Sequence, residues 1–409
     1  MNDSSKQQPL HSAPSVLRRL PGGIWALGLG SLFMDTSSEL IHSLLPVYMA
    51  SVLGASMLTI GIVEGIAEAT AAIVKVFSGA LSDYLGKRKF LMISGYALAA
   101  FTKPVFPLAH TIGWVFAARF IDRVGKGIRG APRDALVADI TPRELRGAAY
   151  GLRQALDSVG AFLGPLLALV CMAWFANDIK AVLWVAVLPA FIAVALLMRY
   201  VREPERAQTA ATSNTPLAWS DVQRLPFAYW MVVALGAVFT LARFSEAFLV
   251  LRAQDVGLSL GWVPLIMVVM NAVYAGCSYP AGAAADRMSR STLLIAGLVV
   301  LIAADWVLAT AASPLAAFMG AGLWGLHMAL TQGLMSKLVA DTAPAHRRGT
   351  AFGIYNLMSC GALLLASVVA GALWSAYEAA ATFWAGAGFA GLAALGLLAY
   401  RLRSQKRRS

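Results

Sequence analysis

The stretch RFIDRVGKGIRGAPRDALVAD, residues 119–139, is densely charged although it lies in the middle of an apolar chain. Its charged side chains include Arg119, Asp122, Arg123, Lys126, Arg129, Arg133 and Asp134. Of the 409 residues of the chain, 59% are hydrophobic and only 13% are charged, whereas soluble domains average about 45–50% apolar and about 25% charged residues. The composition therefore predicts an integral membrane protein.

On an α-helix, at about 100° per residue, these seven side chains fall within one stripe about 140° wide. A charge in the middle of a bilayer costs about 2.5–3.5 kcal/mol on insertion scales, so four of them facing lipid would cost on the order of 10 kcal/mol. The stretch therefore predicts a helix whose charged face points into the protein or into a water-filled cavity.

Apolar runs that are long enough to cross a bilayer as helices, roughly 20 residues each, recur along the whole chain. Twelve spans are predicted, at approximately 23–50, 57–82, 89–109, 113–138, 147–173, 180–200, 226–252, 260–285, 292–311, 315–340, 349–374 and 379–401. No stretch between them is large enough for a soluble domain.

The positions of the basic residues predict the orientation, because Lys and Arg in short loops are retained on the cytoplasmic side. Basic residues precede span one, follow every even-numbered span and close the chain, whereas the opposite loops offer little beyond Lys180 and Arg252. Both termini are therefore expected in the cytoplasm and the protein in the plasma (inner) membrane. The polar first twenty residues lack the features of a signal peptide.

Several classes of function are disfavoured by the sequence. The net charge of +12 is spread over short loops, which argues against a nucleic-acid-binding face. Cys171, Cys277 and Cys360 lie within different spans, which argues against a disulfide framework or a metal site. No Walker-type loop or nucleophile–base pair is identifiable, so no enzyme activity, cofactor or metal is expected. The expected partners are a small-molecule substrate, protons and the lipid bilayer, and the protein is expected to be a monomer.

An internal repeat divides the chain into two halves. LVADITPRELRGAAYG (136–151) matches LVADTAPAHRRGTAFG (338–353) at an offset of 202 residues. The predicted domains are a cytoplasmic tail (1–22), a six-helix bundle (23–200), a cytoplasmic linker (201–226), a second six-helix bundle (227–401) and a basic tail (402–409). The predicted fold class is an all-α membrane protein with twelve transmembrane helices in two pseudo-symmetric bundles around a central cavity. Duplicated halves with a site between them are a transporter architecture.

The sequence GALSDYLGKRK (79–89), between spans two and three, resembles the loop signature of the major facilitator superfamily. Its weaker copy GAAADRMSRS (282–291) has Ser289 where the loop glycine is expected. The resemblance covers the full chain and implies a secondary transporter with alternating access. It also implies a cytoplasmic gate formed by Asp83, Gly86, Arg88, Asp286 and Arg290. The alternative is a surface turn in which Gly86 merely supplies a positive φ.

Two further stretches resemble patterns of the same superfamily. RFIDRVGKG (119–127) is similar to an arginine followed by spaced glycines, although Arg123 replaces one glycine. GLRQALDSVGAFLGPLLAL (151–169) resembles the signature of the superfamily's antiporters and departs from it at Ala168 and Leu169. The matching residues are Gly151, Gly160, Gly164 and Pro165. This resemblance implies antiport, whereas the alternative is ordinary helix packing by small residues.

Polar residues in other spans supply partners for the charged stripe. The predicted substrate cavity comprises Arg119, Asp122, Arg123, Lys126, Arg153, Arg243, Glu246, Asn271 and Trp324. The predicted proton-coupling residues are Asp35, Glu39, Glu68 and Asp157, because a carboxylate in a low-dielectric cavity is a candidate for reversible protonation. The alternatives are a purely structural network, with Asp122 bound to an arginine, and constitutive pairing of Asp35 and Glu39 with Arg123 or Arg153.

The sequence thus predicts a proton-coupled secondary transporter that moves a small charged or amphiphilic molecule, as an antiporter that exports its substrate. One alternative is proton-linked uptake of an organic anion, such as a carboxylate, a phosphorylated compound or a siderophore, because the stripe is basic. A second alternative is a non-transporting receptor on a transporter scaffold.

Overall fold

The computed structural model describes residues 19–203, 225–344 and 348–406, apart from the side chains of Asp83, Asp286 and residues 348–350 and 403–406. Most of the predicted N-terminal tail and linker and the last three residues therefore lie outside the described residues. The N-terminal half forms the helices α1 (Gly22–Val47), α2 (Met57–Leu85), α3 (Arg88–Thr102), α4 (Val105–Leu108), α5 (Ile112–Ile140), α6 (Arg146–Trp174), α7 (Ile179–Val185) and α8 (Val187–Tyr200). A π-helical turn, Tyr48–Val52, extends α1.

In the part of the chain that the structure describes, the C-terminal half also forms eight helices, with its interruptions in different spans. Its helices are α9 (Phe227–Leu241), α10 (Ala247–Asp255), α11 (Leu265–Arg287), α12 (Arg290–Ala309), α13 (Pro314–Thr331), α14 (Leu334–Thr342), α15 (Arg348–Tyr377) and α16 (Ala379–Lys406). Joined across their short breaks, the helices of both halves follow the twelve predicted spans in order. Within the described residues, eight helical segments are long and apolar enough to cross a membrane.

Four spans that the sequence predicts as continuous are interrupted, which corrects their predicted bounds: 89–109 between α3 and α4, 180–200 between α7 and α8, and two spans of the C-terminal half. In the span predicted at 226–252, α9 ends at Leu241 and α10 begins at Ala247. In the span predicted at 315–340, α13 ends at Thr331, and Gly333 has a φ of 70°. Glycine adopts this left-handed conformation without a steric penalty, so the chain bends there before α14 begins.

The two halves meet mainly where α2 packs against α15 and α6 packs against α11. Glycines allow the backbones to approach closely at the first contact. A Cβ at Gly61 would lie 2.3 Å from the carbonyl oxygen of Ser367, and one at Gly371 would lie 2.4 Å from that of Met57. Small residues at such positions are the usual means of packing helices in a membrane.

One end of the bundle is closed by these contacts. There the backbone N–H of Leu58 donates to Oγ of Ser375 at 3.1 Å, and the amide of Gln254 donates to Ser51 at 2.8 Å. Both hydrogen bonds join the two halves. The opposite end, where Arg88, Arg143 and Arg290 lie, is called the basic end below.

Candidate functional site

A cavity lies between the two halves and continues toward the basic end. Its inner chamber has a volume of about 380 Å³ and its outer chamber about 460 Å³. Both chambers are lined by Glu39, Glu68, Lys126 and Leu363, so they form one passage, called the central cavity below. Apart from these shared residues, its predicted site residues are Asp35, Arg123, Asp157, Arg243, Glu246, Asn271 and Trp324.

Helix α5 supplies the basic wall of the central cavity, as its charged stripe predicts. The guanidinium of Arg123 lies 3.2 Å from the carboxylate of Glu68 on α2 and is otherwise buried. The next residue of the stripe, Lys126, is exposed in the cavity. Among the described side chains, its ammonium has no carboxylate partner within ion-pairing distance. Lys126 is therefore available to a ligand in this conformation.

Two residues of α5 predicted to line the cavity, Arg119 and Asp122, lie behind its wall instead. Arg119 is 1% exposed and its Nη2 lies 2.8 Å from Oε2 of the fully buried Glu64. Asp122 pairs at 2.8 Å with the ammonium of Lys103, and its Oδ2 also lies 4.0 Å from Nε of Arg123, the kind of arginine contact that the structural alternative named. A buried charge is stable only with a partner of opposite charge. Arg119 and Asp122 therefore each neutralise a buried partner, Glu64 and Lys103 respectively. Lys103 was missed because it stands beside Pro104 at the end of a span.

The carboxylates of α1 face the central cavity. Oδ1 of Asp35 lies 3.8 Å from Arg129, whose guanidinium also stacks over the ring of Tyr96. Glu39 lies 3.3 Å from His42, one turn further along α1. The structure therefore pairs Asp35 with Arg129 and Glu39 with His42, where the sequence suggested Arg123 or Arg153.

A second charged network surrounds the outer chamber. Arg153 lies outside the cavity lining and binds Asp157 at 3.0 Å and Asp134 at 3.4 Å. Arg133 lies 3.7 Å from Asp157, and its Nη1 donates to Ser31 at 2.7 Å. Lys75 lies 3.5 Å from Asp134. Each carboxylate here lies within ion-pairing distance of at least two cationic side chains. The carboxylates of this region are therefore already neutralised and attract an added cation only weakly.

The C-terminal half contributes residues at the break between α9 and α10. Arg243 lies in this break and Glu246 directly precedes α10, and both line the central cavity. Neither forms an ion pair with another described side chain. Phe244, between them, packs against Trp324 with ring centroids 5.3 Å apart. Further toward the basic end, the Asn271 amide donates to the carbonyl of Ala161 at 3.2 Å. The break thus places a cation, an aromatic ring and a carboxylate opposite α5.

The predicted gate residues lie at the basic end, within each half. The guanidinium of Arg88 donates to Asp139 at 2.5 Å, and Arg290 pairs with Asp341. Both pairs are related by the offset of 202 residues. Gly86 has a φ of 65°, as the turn alternative requires. The side chains of Asp83 and Asp286 lie outside the described residues. In this conformation the two arginine pairs stabilise each half separately.

The glycines of the antiporter-like stretch pack α6 against α1. A Cβ at Gly160 would lie 3.1 Å from the Cβ of Asp35, and one at Gly164 would lie 2.8 Å from the Cβ of Glu39. Pro165 is buried inside α6. Gly151 has no atom within 4 Å of its Cβ position, so it takes no part in this contact.

The arrangement provides a charged cavity with an aromatic wall, suited to bind a small molecule. In the part of the chain that the structure describes, no group of three or more His, Cys, Asp or Glu side chains could hold a metal ion. The closed end and the open basic end together give access from one side only.

Comparisons with known proteins agree with this arrangement. The family model of the Major Facilitator Superfamily matches residues 27–269 and 244–409. An uncharacterized MFS-type transporter of Methanocaldococcus jannaschii is 30% identical over 87% of this chain and 89% of its own length. A class H tetracycline resistance protein of Pasteurella multocida is 24% identical over 75% of this chain and 76% of its length. A crystal structure of a variant of the nucleoside transporter NupG superposes with a TM-score of 0.75, at 13% identity, over 92% of this chain and 99% of that one.

Proposed function

The chain belongs to the major facilitator superfamily and is a membrane transporter, not an enzyme; from that premise we propose that it is a proton-coupled antiporter. In this proposal it exports a small charged or amphiphilic molecule from the cytoplasm by alternating access. Asp35 and Glu39 carry the proton, while Lys126 and Arg243 contact the substrate.

The observation that carries the proposal is the contact between the antiporter-like glycines and the α1 carboxylates. Gly160 and Gly164 hold α6 directly against the backbone that bears Asp35 and Glu39. Protonation of Asp35 would weaken its attraction to Arg129 on α5, 3.8 Å away. Because α1 packs closely against α6, a shift of α1 that follows a change in the charge of these carboxylates also displaces the helices around the cavity.

The shape and lining of the central cavity support substrate binding at the same place. Lys126 from one half and Arg243 from the other line the inner chamber, together with Trp324. The carboxylates Glu39 and Glu246 line it as well. Proton and substrate therefore have access to one cavity, so binding of one can oppose binding of the other, as antiport requires.

The direction of transport is proposed from two supports. The basic loops predict that the open end faces the cytoplasm, from which an exporter takes up its substrate. The tetracycline resistance protein noted above is named for resistance, a property that export would explain. Both supports concern the same step, the loading of the cavity from inside the cell.

The test is a substrate screen in proteoliposomes that contain the purified full-length protein and a pH indicator in their lumen. Vesicles in which the pH is lower on the side opposite the protein's cytoplasmic face are compared with vesicles that have equal pH on both sides. For an antiporter, substrate movement out of the protein's cytoplasmic side is accompanied by proton movement in the opposite direction, and a substrate pulse at equal pH shifts the luminal indicator. Transport that is unaffected by the gradient and leaves the indicator unchanged would contradict the proposal.

Proton-linked uptake of an organic anion is the second candidate, and the unpaired Lys126 favours it. An anion bound there would neutralise an ammonium that has no carboxylate partner among the described side chains. The same vesicles separate the two candidates, because a symporter moves substrate and protons in the same direction. Ligand binding without any flux would instead indicate a receptor.

A further inference from the structure

Asp305 on α12 is a buried carboxyl group that the proposed mechanism does not use. Its side chain is completely excluded from solvent. Neither Oδ1 nor Oδ2 has a hydrogen-bond partner among the described residues. Its Oδ2 and the ring of Phe244 both border the Cβ position of Gly386, and Phe244 packs in turn against Trp324 and Phe383.

The internal repeat shows what is unusual about this position. At the offset of 202 residues, Asp305 corresponds to Lys103 and Trp324 corresponds to Asp122. In the N-terminal half these two positions form an ion pair 2.8 Å long. In the C-terminal half the lysine is replaced by an acid and the acid by an indole. Nε1 of Trp324 also lacks a hydrogen-bond partner among the described residues.

The charged groups closest to Asp305 along α12 are engaged elsewhere. Arg252 of α10 donates to the carbonyls of Leu308 and Ala311 and pairs with Asp255. His327 of α13 binds the carbonyl of Gly297, two turns from Asp305.

Other charged groups on the neighbouring helices lie further away. Arg401 of α16 donates to Thr292, and Asp341 of α14 pairs with Arg290. Both contacts are at the basic end of α12, about four turns from Asp305. Arg243 lies beside Phe244 in the cavity lining. No described cation forms an ion pair with Asp305.

An ionised carboxylate in such surroundings would be strongly unfavourable, because it loses its hydration and gains no counter-ion. An indole N–H can only donate a hydrogen bond, so Trp324 offers no positive charge. A protonated carboxylic acid carries no charge and is far less costly to bury. We propose that Asp305 is a second proton-binding site of this transporter, occupied by a proton in the conformation described here and emptied into the central cavity when Phe244 moves aside.

Phe244 both lines the central cavity and lies close to Asp305. A Cβ at Gly386 would lie 2.8 Å from Oδ2 of Asp305 and 2.9 Å from Cε1 of Phe244. The two side chains therefore share the space that this glycine leaves open. Phe244 itself lines the central cavity and lies in the break between α9 and α10, where the backbone is not held by helical hydrogen bonds. A shift of this segment connects the carboxyl oxygen of Asp305 with cavity water, which accepts the proton.

The first test is infrared spectroscopy of the full-length protein in lipid vesicles. At neutral pH we expect a carbonyl stretching band from a protonated carboxyl group. The band should be lost in Asp305→Asn and retained in Asp35→Asn, so that the result is independent of the proposed coupling at α1. Retention of the band in Asp305→Asn, or its absence from the unmodified protein, would overturn the proposal.

The second test compares thermal stability between repeat-related positions. Asp305→Asn replaces a neutral group with a neutral group and should leave the unfolding midpoint unchanged or raise it. Asp122→Asn removes the partner of Lys103 and should lower the midpoint. A decrease in Asp305→Asn as large as that in Asp122→Asn would mean that Asp305 is ionised and paired. If Asp305→Asn is not recovered folded, Asp305→Ser takes its place, and failure of both neutral variants also counts against the proposal.

The third test concerns the route of the proton. After transfer into D2O, the carboxyl band shifts as deuterium replaces the proton. Phe244→Ala removes the ring of Phe244 and should make the shift several-fold faster, whereas Phe248→Ala, which removes a ring that packs against Phe244 but does not line the central cavity, serves as the matched control. An equal rate in Phe244→Ala and the unmodified protein would exclude exchange through this wall.

Discussion

Arg119 and Glu64 form an ion pair, 2.8 Å long, in which the arginine side chain is 1% exposed and the glutamate is not exposed at all. The same carboxylate lies 3.6 Å from His42 on α1 and 3.5 Å from Oγ of Ser245 in the other half. Glu64, on α2, therefore contacts α5, α1 and the break between α9 and α10 at the closed side of the cavity.

Substitution of either residue of this ion pair is expected to destabilise the folded protein. Arg119→Gln or Glu64→Gln leaves one buried charge without its partner, which typically costs about 3–5 kcal/mol. Both variants should lose folded yield and thermal stability in detergent, and the double variant should recover part of the loss. Arg243→Gln, which removes a cation without an ion-pair partner, is the control and should stay close to the unmodified protein. Equal stability of all four proteins would show that the pair is not needed for folding.

Lys126 is predicted to act in binding and not in folding. Because its ammonium has no carboxylate partner among the described side chains, Lys126→Gln should leave the folded yield largely intact and weaken substrate affinity. Lys75→Gln is a matched control, since Lys75 also lines the cavity but lies 3.5 Å from Asp134. Direct binding measured by calorimetry or scintillation proximity distinguishes them. Loss of folded Lys126→Gln with unchanged affinity in the remainder would assign this residue to structure.

Substitution of the antiporter-like glycines by alanine should have very different effects on stability and transport at different positions. Gly164→Ala places a Cβ 2.7 Å from the carbonyl oxygen of Thr36 and 2.8 Å from the Cβ of Glu39, so α6 must move away from α1. We expect lower stability and slower transport. Gly151→Ala meets no atom within 4 Å and should be neutral or stabilise α6 by up to about 1 kcal/mol. Similar transport rates in the two variants would contradict the close-packing argument.

Asp35 is predicted to couple transport to protons. Asp35→Asn should abolish transport against a substrate gradient in vesicles with an imposed pH difference, yet permit substrate exchange at equal pH, because exchange moves no net proton. Glu39→Gln is tested alone and in combination. If all three variants transport substrate against its gradient at the normal rate, proton coupling lies elsewhere. Glu68 and Asp157 are then the next candidates.

The orientation of the chain is open to a direct test. A single cysteine introduced at Asn214, in a background without the three native cysteines, should react with an impermeant reagent only from the cytoplasmic side. The control is a cysteine at Asn177, between α6 and α7, which should react from outside. Labelling of residue 214 from outside would reverse the topology and with it the proposed direction of transport.

Much of the fold could be predicted because the physical constraints are local in sequence. Charges cannot face lipid, so the stripe on α5 had to face inward, and the structure places Arg123 and Lys126 at the cavity. The partners were harder to predict, since Asp122 pairs with Lys103 across two helices. Helical periodicity describes one helix at a time and does not specify which neighbour it touches.

The helix breaks could be predicted only in part. Gly333 is a residue that permits a bend, although glycine is also frequent in straight membrane helices. The break between α9 and α10 contains neither glycine nor proline and left no local signal. It is stabilised by tertiary contacts, such as the hydrogen bond from the backbone N–H of Ser245 to Oγ of Ser367, 3.2 Å long.

The glycine contact between α2 and α15 has a consequence for the kinetics of the transport cycle. At the closed end, the described residues of the two halves are joined by backbone packing and by hydrogen bonds, among them that of Ser245 with Glu64, with no ion pair between the halves. Salt screens charges but leaves dispersion forces unaffected. The rate at which this end opens is therefore expected to depend little on ionic strength, and to respond instead to the lateral pressure and acyl-chain composition of the surrounding bilayer.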